Sequence, residues 1–290
     1  MPEHQPVMAK RIAEILVNNP HGVYVDATFG RGGHSCALLD KLSGKGRVLA
    51  IDRDPEAVLH AGTIDDSRLV VQHAPFSDLP LLLKALDLPG IDGIVFDLGV
   101  SSPQLDNAQR GFSFQRQGPL DMRMDPTRDE PLQKALLRLS EKALADIIYH
   151  YGEERYSRRI AKAIHTSRPI ADTLQLATIV AKAVPRWEKG QHPATRTFMA
   201  LRIFLNRELE ELEQTLPAAV SALNPGGRLA VLSFHSLEDR IVKRFLQKES
   251  RNEQARIKLL FPYERPGLEE KRQNPRARSA ILRSAEKMDV

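Results

Sequence analysis

Three glycines fall within four positions in the stretch Gly30-Arg31-Gly32-Gly33. The residues before them, Val23 to Asp26, have the pattern of a buried strand, and a helical pattern with Leu38 and Leu42 on one side follows them. A glycine-rich turn between a strand and a helix lets the backbone approach a ligand closely, and the N–H groups at the start of the helix face that ligand. The stretch therefore predicts a nucleotide-binding site.

A carboxylate follows at the distance expected for a ribose partner. Asp52 ends a second predicted strand, 22 residues after Gly30, where nucleotide-binding sheets place an acid that accepts hydrogen bonds from ribose hydroxyls. An aspartate at a strand end can also cap the next helix, but Asp54, followed by Pro55, suits that role better. We therefore expect Asp52 to bind ribose.

The turn alone leaves the nucleotide open between a nicotinamide dinucleotide and S-adenosylmethionine. The G-x-G-x-x-G pattern of dehydrogenases needs a third glycine at position 35, where this chain has Ser35. Asp26, at the end of the first strand, could meet the ammonium group of S-adenosylmethionine. A P-loop is excluded, because no Gly-Lys-Ser/Thr follows the turn. These features favour S-adenosylmethionine and keep a nicotinamide-dependent oxidoreductase as the alternative.

The acceptor side of the site is expected at Asp97. This residue closes a fourth predicted strand and opens a stretch, residues 97–104, that holds a carboxylate, two hydroxyls and the amide of Gln104. In an open α/β sheet, ligands bind at the carboxyl ends of the strands. We predict Asp97, or a carbonyl of the loop from Leu98 to Ser102, as the catalytic proton acceptor. Phe76, just after the third strand, either covers the adenine face or belongs to the core.

Cations and aromatic rings alternate in residues 110–116, which include Arg110 and Phe112. Such a loop can pair with phosphates and stack on bases, although an ordinary loop anchored by two phenylalanines has the same composition. His192 and Arg196 open a long predicted helix whose N-terminus could hold a phosphate. These four residues are candidate substrate contacts.

Two further candidates lie near the C-terminus. His235 follows a predicted strand and faces the expected site, while Ser236 and Asp239 have the spacing of a capping box for the next helix. A single histidine at such a place is more often structural than functional. Arg276 precedes the last predicted strand and is expected at the mouth of the site.

Strands alternate with helices up to Asp97, which predicts an α/β fold with a doubly wound, mostly parallel sheet. After Asp97 the alternation stops, and no strand is convincing between about residues 100 and 225. A strand at 228–234 and two short apolar stretches then complete a seven-stranded sheet. We therefore expect a discontinuous domain, residues 1–108 and 205–290, with an all-helical substrate domain, residues 109–204, inserted in it. The helical patterns that lead into and through the insert lie at 132–149, 156–164, 173–184 and 194–223, the last with a break expected at Pro217.

Charge is unevenly distributed along the 290 residues, whose net charge is +5. Residues 109–204 hold 17 Lys and Arg against 10 Asp and Glu, and residues 1–108 hold 9 against 14. The basic insert suggests a polyanionic partner, or merely a basic surface.

Cys36 is the only cysteine, which excludes an internal disulfide and a cysteine-based zinc site. No apolar run reaches the roughly 18 residues of a membrane span, and a signal-peptide core is lacking, so we expect a cytoplasmic protein.

The motifs together resemble those of the bacterial 16S rRNA (cytosine-N4) methyltransferases, the RsmH/MraW family. The resemblance runs from near residue 4 almost to the C-terminus, without a departure at a signature position. Its motifs lie at residues 28–35, 50–55, 97–106, 110–114, 118–126, 151–155, 192–198, 233–244 and 274–279.

The resemblance implies a class I, Rossmann-like methyltransferase sheet with an inserted helical substrate domain. It implies S-adenosyl-L-methionine as cofactor and N4 methylation of a cytosine in the decoding region of 16S rRNA, on the small ribosomal subunit. The second alternative is a ribosome-assembly factor that binds RNA and uses the cofactor only structurally. The oligomeric state is left open between a monomer and a homodimer. The family's cofactor positions fall on Gly32, Gly33, His34, Asp52, Phe76, Asp97 and Gln104.

Overall fold

The computed structural model describes residues 6–128, 130–186, 190, 192–251 and 254–289. The chain divides into two compact units. The first, here called the sheet unit, combines residues 1–99 with 209–290, and the second, the helical unit, spans residues 100–208.

The sheet unit contains a seven-stranded sheet with the order β3-β2-β1-β4-β5-β7-β6. Neighbouring strands from β3 to β5 are parallel, and β7 runs antiparallel to both β5 and β6. The α/β fold class predicted from the sequence is confirmed. The strands are β1 Val23–Asp26, β2 Arg47–Asp52, β3 Leu69–His73, β4 Ile91–Asp97, β5 Leu223–Ser233, β6 Ile257–Glu264 and β7 Ile281–Lys287.

The helices follow from local capping signals and apolar periodicity. Asp54 accepts a hydrogen bond from the N–H of Glu56, with Pro55 at the first helical position, as the sequence predicts for the third helix. The helices are α1 Ala9–Leu16, α2 Gly33–Leu39, α3 Pro55–Ala61, α4 Leu79–Ala85, α5 Ser102–Asp106, α6 Leu132–Arg138, α7 Glu141–Gly152, α8 Ser157–Thr166, α9 Thr173–Ala183, α10 Ala194–Asn206, α11 Glu208–Ala222, α12 Ser236–Glu249 and α13 Leu268–Gln273.

The sheet is covered on both faces, which explains why its strands read as continuous apolar runs. Side chains of β4 alternate between the two faces. Ile94 and Phe96 belong to a buried cluster that includes residues of α4, α11 and α12, whereas Val95 belongs to a cluster that includes residues of α1 and α2. The central strands are therefore rigidly held, and their carboxyl ends offer fixed positions for functional side chains.

The fifth strand begins earlier than expected. Leu223 already pairs with Ile91, so residues 224–227, which precede the strand predicted at 228–234, lie inside β5 as an irregularity in the pairing with β4. Gly226 has a positive φ of 78°, and an added Cβ at Gly227 would lie 2.8 Å from the carbonyl oxygen of Asn224. The glycines let the strand continue through the bulge, a possibility that turn composition alone does not reveal.

The helical unit is built from α5 to α10 around its own apolar cluster, which includes Leu144, Ile148 and Leu201. The long helix expected at 194–223 is interrupted at a different place from the predicted one. Arg207 has a φ of 53° and separates α10 from α11, while Pro217 lies inside α11 without ending it. The predicted break at Pro217 is therefore wrong. The helix continues because the apolar face of α11 is buried on both sides of the proline.

Candidate active site

Asp97 lies at the carboxyl end of β4 and is held by two neighbouring segments of the sheet unit. Its backbone N–H donates to Thr28 Oγ1 at 2.7 Å, and its Oδ2 lies 3.2 Å from Nε2 of His34. His34 is buried on α2, directly after the glycine turn. Burial opposes the charged form of His34, but the charge and hydrogen bond of Asp97 outweigh it and raise the pKa of the imidazole. The raised pKa favours an imidazolium beside the side chain of Asp97.

Each member of this pair has one buried polar atom with no partner among the described residues, namely Asp97 Oδ1 and His34 Nδ1. Buried polar atoms in folded proteins are normally hydrogen-bonded, and a catalytic or binding role is one explanation for those that are not. The unpaired Oδ1 leaves one carboxylate oxygen able to accept a hydrogen bond from a ligand. This is the property that a catalytic proton acceptor requires.

The glycine turn is shaped for close approach of its backbone. Gly30 and Gly32 have positive φ angles of 55° and 77°, which residues with a side chain rarely adopt. A Cβ added at Gly32 would lie 2.6 Å from Ile64 Cδ1, and one at Gly33 would lie 2.5 Å from Cγ of Pro6. The conformation and the crowding both require glycine here.

Ser35, the residue that breaks the dehydrogenase pattern, has a defined partner. Its Oγ donates to Asp26 Oδ2 at 2.7 Å, and the N–H of Thr28 donates to Asp26 Oδ1 at 3.2 Å. Asp26 is fully buried, and this burial raises the pKa of its carboxyl. The expectation that Asp26 meets an ammonium group is therefore wrong for this conformation, and its carboxylate instead ties β1 to α2.

Asp52 also has a second role that the sequence did not suggest. Its Oδ2 accepts the N–H of Gly30 at 2.7 Å, and its Oδ1 accepts the N–H of Asp54 at 2.8 Å. The end of β2 is thereby joined to the glycine turn. Burial raises the pKa of Asp52 to about 6, although the two backbone hydrogen bonds act in the opposite direction. Each carboxylate oxygen retains a lone pair for a ribose hydroxyl.

Cofactor affinity should consequently fall as the pH drops through about 6. Ribose hydroxyls donate to the carboxylate form of Asp52, so its protonation weakens binding by up to about tenfold per pH unit. The folding stability of the free protein depends on pH with the opposite sign. Because the pKa of Asp52 is raised in the folded state, its protonation stabilises the free protein at low pH, and this stabilisation is lost as the pH rises through about 6. Titration calorimetry from pH 5 to 8 checks this. The plot of log affinity against pH should bend near pH 6 for the unchanged protein, and Asp52→Asn should remove that bend. A bend of equal size in the variant would assign it to another group.

Glu211 is a residue of this region that sequence reasoning missed. It is buried on α11, its Oε2 lies 3.1 Å from Nη1 of Arg53, and its Oε1 accepts hydrogen bonds from Ser77 N and Oγ at 3.4 Å. It therefore joins the segments that follow Asp52 and Phe76. No sequence pattern signals a contact among residues so far apart in the chain. Phe76 itself is half-buried.

Two of the predicted substrate contacts belong to the interior of the helical unit. The Nη2 of Arg110 donates to the carbonyls of Arg123 and Met124, both at 3.1 Å, and only 6% of its surface is exposed. Phe112 is equally buried and belongs to the apolar cluster of that unit. In this conformation neither side chain can contact RNA, so their predicted role is corrected to a structural one.

The other candidates of the helical unit are distributed along it. Gln104 is buried, and its Oε1 accepts the N–H of Ser101 in a capping box at the start of α5. His192 is exposed, and its ring stacks on Phe114 with 4.7 Å between the centroids. Arg196 is half-buried on α10. Their roles toward cofactor and substrate stay predictions.

His235 and Arg276 belong to the sheet unit. His235 is the N-cap of α12, where its Nδ1 accepts the N–H of Glu238 at 3.4 Å and its Nε2 lies 3.0 Å from Glu238 Oε1. The capping box is thus formed by His235 and Glu238, and the predicted pair of Ser236 and Asp239 was wrong. Although Nε2 lies near Glu238, this buried nitrogen has no hydrogen-bond partner among the described residues. His235 therefore caps α12, and its predicted contact with the substrate stays a prediction. Arg276 lies half-buried in a short 3₁₀ turn before β7.

Comparison with known proteins decides which kind of enzyme this site belongs to. The profile of the MraW methylase family matches residues 1–288. The chain belongs to this family. The methylase is 51% identical over 306 aligned residues to ribosomal RNA small subunit methyltransferase H of Methylibium petroleiphilum, covering 99% of this chain and 96% of that protein. The protein of the same name from Aromatoleum aromaticum is 51% identical over 303 residues, covering 99% and 97%.

A solved rRNA methylase from Streptococcus thermophilus matches all of this chain and 99% of its own, at 12% identity and a TM-score of 0.46. The sheet order of the methylase, with its single antiparallel β7, is that of the Rossmann-like class I methyltransferases. Family membership decides against the oxidoreductase alternative.

The cofactor of the methylase is S-adenosyl-L-methionine, and the residues at the carboxyl edge of the sheet fit it. The glycine turn exposes backbone without side chains beside the start of α2, with positive φ angles at Gly30 and Gly32, and the pair of His34 and Asp97 provides buried polar atoms without partners among the described residues. Asp52 provides a carboxylate at the end of β2, the strand that pairs with β1. Within the described part of the chain, no group of three or more His, Cys, Asp and Glu residues could hold a metal ion. None of its helices is long and apolar enough to cross a membrane.

Proposed function

We propose that this methylase transfers a methyl group to the exocyclic N4 of a cytosine in the decoding region of 16S rRNA, on the small ribosomal subunit. The observation that carries the proposal is the carboxylate of Asp97, oriented by His34 and Thr28, with one buried oxygen that has no partner among the described residues. Relatives at 51% identity named ribosomal RNA small subunit methyltransferase H support the substrate. Such a substrate also implies work in the cytoplasm, where ribosomes are made.

The chemistry of the acceptor explains why a carboxylate is needed. The lone pair of the cytosine N4 amine is delocalised into the ring, so the amine is a poor nucleophile. A carboxylate that accepts a hydrogen bond from the amine localises electron density on the nitrogen and can take the proton as the new bond forms. Oδ1 of Asp97 is the atom that we assign to this task. His34 fixes the direction of the carboxylate through Oδ2.

S-adenosylmethionine supplies a methyl group already activated by its sulfonium. Much of the remaining acceleration comes from holding the acceptor in line with that methyl group. Gly32 and Gly33 would hold the methionine end, Asp52 the ribose and Phe76 the adenine. Gln104 remains a proposed contact of the cofactor.

The helical unit is proposed to recognise the RNA. Residues 109–204 hold 17 Lys and Arg against 10 Asp and Glu, and a positive surface of this kind attracts a phosphate backbone. His192, Arg196, His235 and Arg276 remain candidate contacts. A target base within a stem must also be unstacked, or be presented already looped out, before its N4 can reach Asp97.

Transfer of tritium from labelled S-adenosylmethionine to small ribosomal subunits tests the proposal. The subunits are purified from cells that lack the enzyme, and large subunits from the same cells serve as the control. We expect one methyl group per small subunit and none on the large subunit. Tight binding to small subunits without any transfer would favour the alternative of an assembly factor with a structural cofactor.

A further inference from the structure

The helical unit contains an open pocket with a volume of about 320 Å³. Its wall includes the rings of Phe114 and His192, and its other side is formed by α9 through Leu174, Thr178, Ala181 and Lys182. Pockets of this size are typical of small-molecule sites. Apart from His192, and Phe114 as part of residues 110–116, none of these residues has a role in the account above.

The aromatic wall of the pocket is held in place by packing. Phe114 and His192 stack with a tilt of 35° between their planes. The other contact of Phe114 is with Phe198, edge to face at 4.8 Å, and Phe198 is buried in α10. Nδ1 of His192 accepts the N–H of Ala194 at 3.1 Å, which fixes the imidazole plane. The wall is therefore a rigid aromatic surface.

The α9 side combines apolar surface with one cation. Leu174 is 41% exposed although it is apolar, and Ala181 leaves room for a ligand. Thr178 Oγ1 donates to the carbonyl of Leu174, so this hydroxyl can still accept a hydrogen bond. Lys182 is exposed at the rim. A planar apolar group would fit inside, with a negative group beside Lys182.

We propose that this pocket binds one nucleotide of the single-stranded part of the substrate RNA. Its base stacks against Phe114 and His192, and its phosphate pairs with Lys182. Aromatic platforms with adjacent cations are the usual means of binding single-stranded nucleic acid. The net positive charge of residues 109–204 suits a polyanion rather than an acidic or neutral small molecule. The inference rests on the proposed function, because it takes RNA as the substrate.

The pocket also gives a revised interpretation of residues 110–116. Their alternating cations and rings suggested an RNA-binding loop, yet Arg110 and Phe112 point into the unit. Phe114 is the ring of this loop that borders open space. The loop thus uses its first half for folding and its second half for binding.

The test compares the affinity of full-length variants for a fluorescein-labelled single-stranded RNA of about 12 nucleotides, without cofactor. Phe114→Leu keeps apolar volume but removes the aromatic face, and should weaken binding about 5- to 150-fold, the effect of losing one stacked base. Ala181→Leu fills the pocket from α9 and should weaken binding to a similar extent. Lys182→Met should make the slope of log affinity against log salt shallower by about 0.7, as expected for one lost phosphate contact.

Tyr149→Leu is the matched control, because Tyr149 is an exposed ring of α7 that does not line the pocket. It should bind the RNA within twofold of the unchanged protein. Equal affinity of Phe114→Leu, Ala181→Leu and the unchanged protein would overturn the inference, as would a loss confined to Phe114→Leu. In both cases a peptide or another ligand would become the candidate occupant.

The outcome is separable from that of the proposed function. Tritium transfer to small subunits by the unchanged protein, together with equal RNA affinity of all variants, would contradict only the pocket. Weakened RNA binding by the pocket variants, together with no transfer by the unchanged protein, would contradict only the proposed function.

Discussion

Asp97→Asn will slow methyl transfer by about 10²- to 10⁴-fold, the usual contribution of a positioned general base. Asparagine has nearly the same shape as aspartate, and its side-chain oxygen can still accept a hydrogen bond from Nε2 of His34. The backbone contact with Thr28 Oγ1 does not involve the replaced group. The variant should therefore fold normally, but its neutral amide can neither localise the lone pair of the acceptor nitrogen nor take its proton.

Single-turnover rates at saturating cofactor measure this effect on the chemical step. The matched control is Asp92→Asn, at the opposite end of β4, where the carboxylate accepts hydrogen bonds from Val23 N and Asn19 Nδ2. That variant should keep the full rate at a temperature at which it is folded. If Asp97→Asn binds cofactor normally and turns over at the unchanged rate, Asp97 is not the proton acceptor.

Gly32→Ala will weaken S-adenosylmethionine binding by at least about tenfold and lower the free energy of unfolding by about 1–3 kcal/mol. Gly32 has a φ of 77°, and its added Cβ would meet Ile64 Cδ1 at 2.6 Å and Phe29 Cε2 at 2.9 Å. The side chains of Ile64 and Phe29 or the turn itself must shift to relieve both contacts, and the positive φ strains the turn in either case. Because the N–H of Gly30 is bonded to Asp52, a shift of the turn also disturbs the proposed ribose acceptor.

Calorimetric titration with cofactor and thermal unfolding measure the two effects separately. Gly44→Ala is the control, since no atom lies within 4 Å of the Cβ position of Gly44. This variant should bind cofactor like the unchanged protein and lose no stability. Equal cofactor affinity of the two variants would show that the turn does not approach the ligand closely.

The fold could be predicted from the sequence to the extent that local signals determine it. The strand that ends in Asp97 and the cap of Asp54 were predicted correctly, because apolar runs and caps are local patterns. The interruption between α10 and α11 was misplaced. It depends on Asn206, whose side chain binds the backbone of Met122 and Met124, more than 80 residues earlier.

The candidate site was predicted less completely, for the same physical reason. Its glycines and strand-end carboxylates follow the topology of the sheet, so their positions could be inferred from spacing. Whether a side chain is available to a ligand depends instead on what packs around it. Arg110 is bound by two distant carbonyls and Asp26 by the hydroxyl of Ser35, so neither is available, although both looked functional in the sequence.

The most direct test of this account is mass spectrometry of 16S rRNA, both as nuclease fragments and as released nucleosides, after reaction of small subunits with the enzyme and S-adenosylmethionine. The account predicts N4-methylcytidine, carried by a single fragment from the decoding region and absent when Asp97→Asn replaces the unchanged protein. A methyl group on a ring carbon or a ribose oxygen, or no methylated cytidine at all, would contradict the assignment of Asp97 as acceptor for an exocyclic amine.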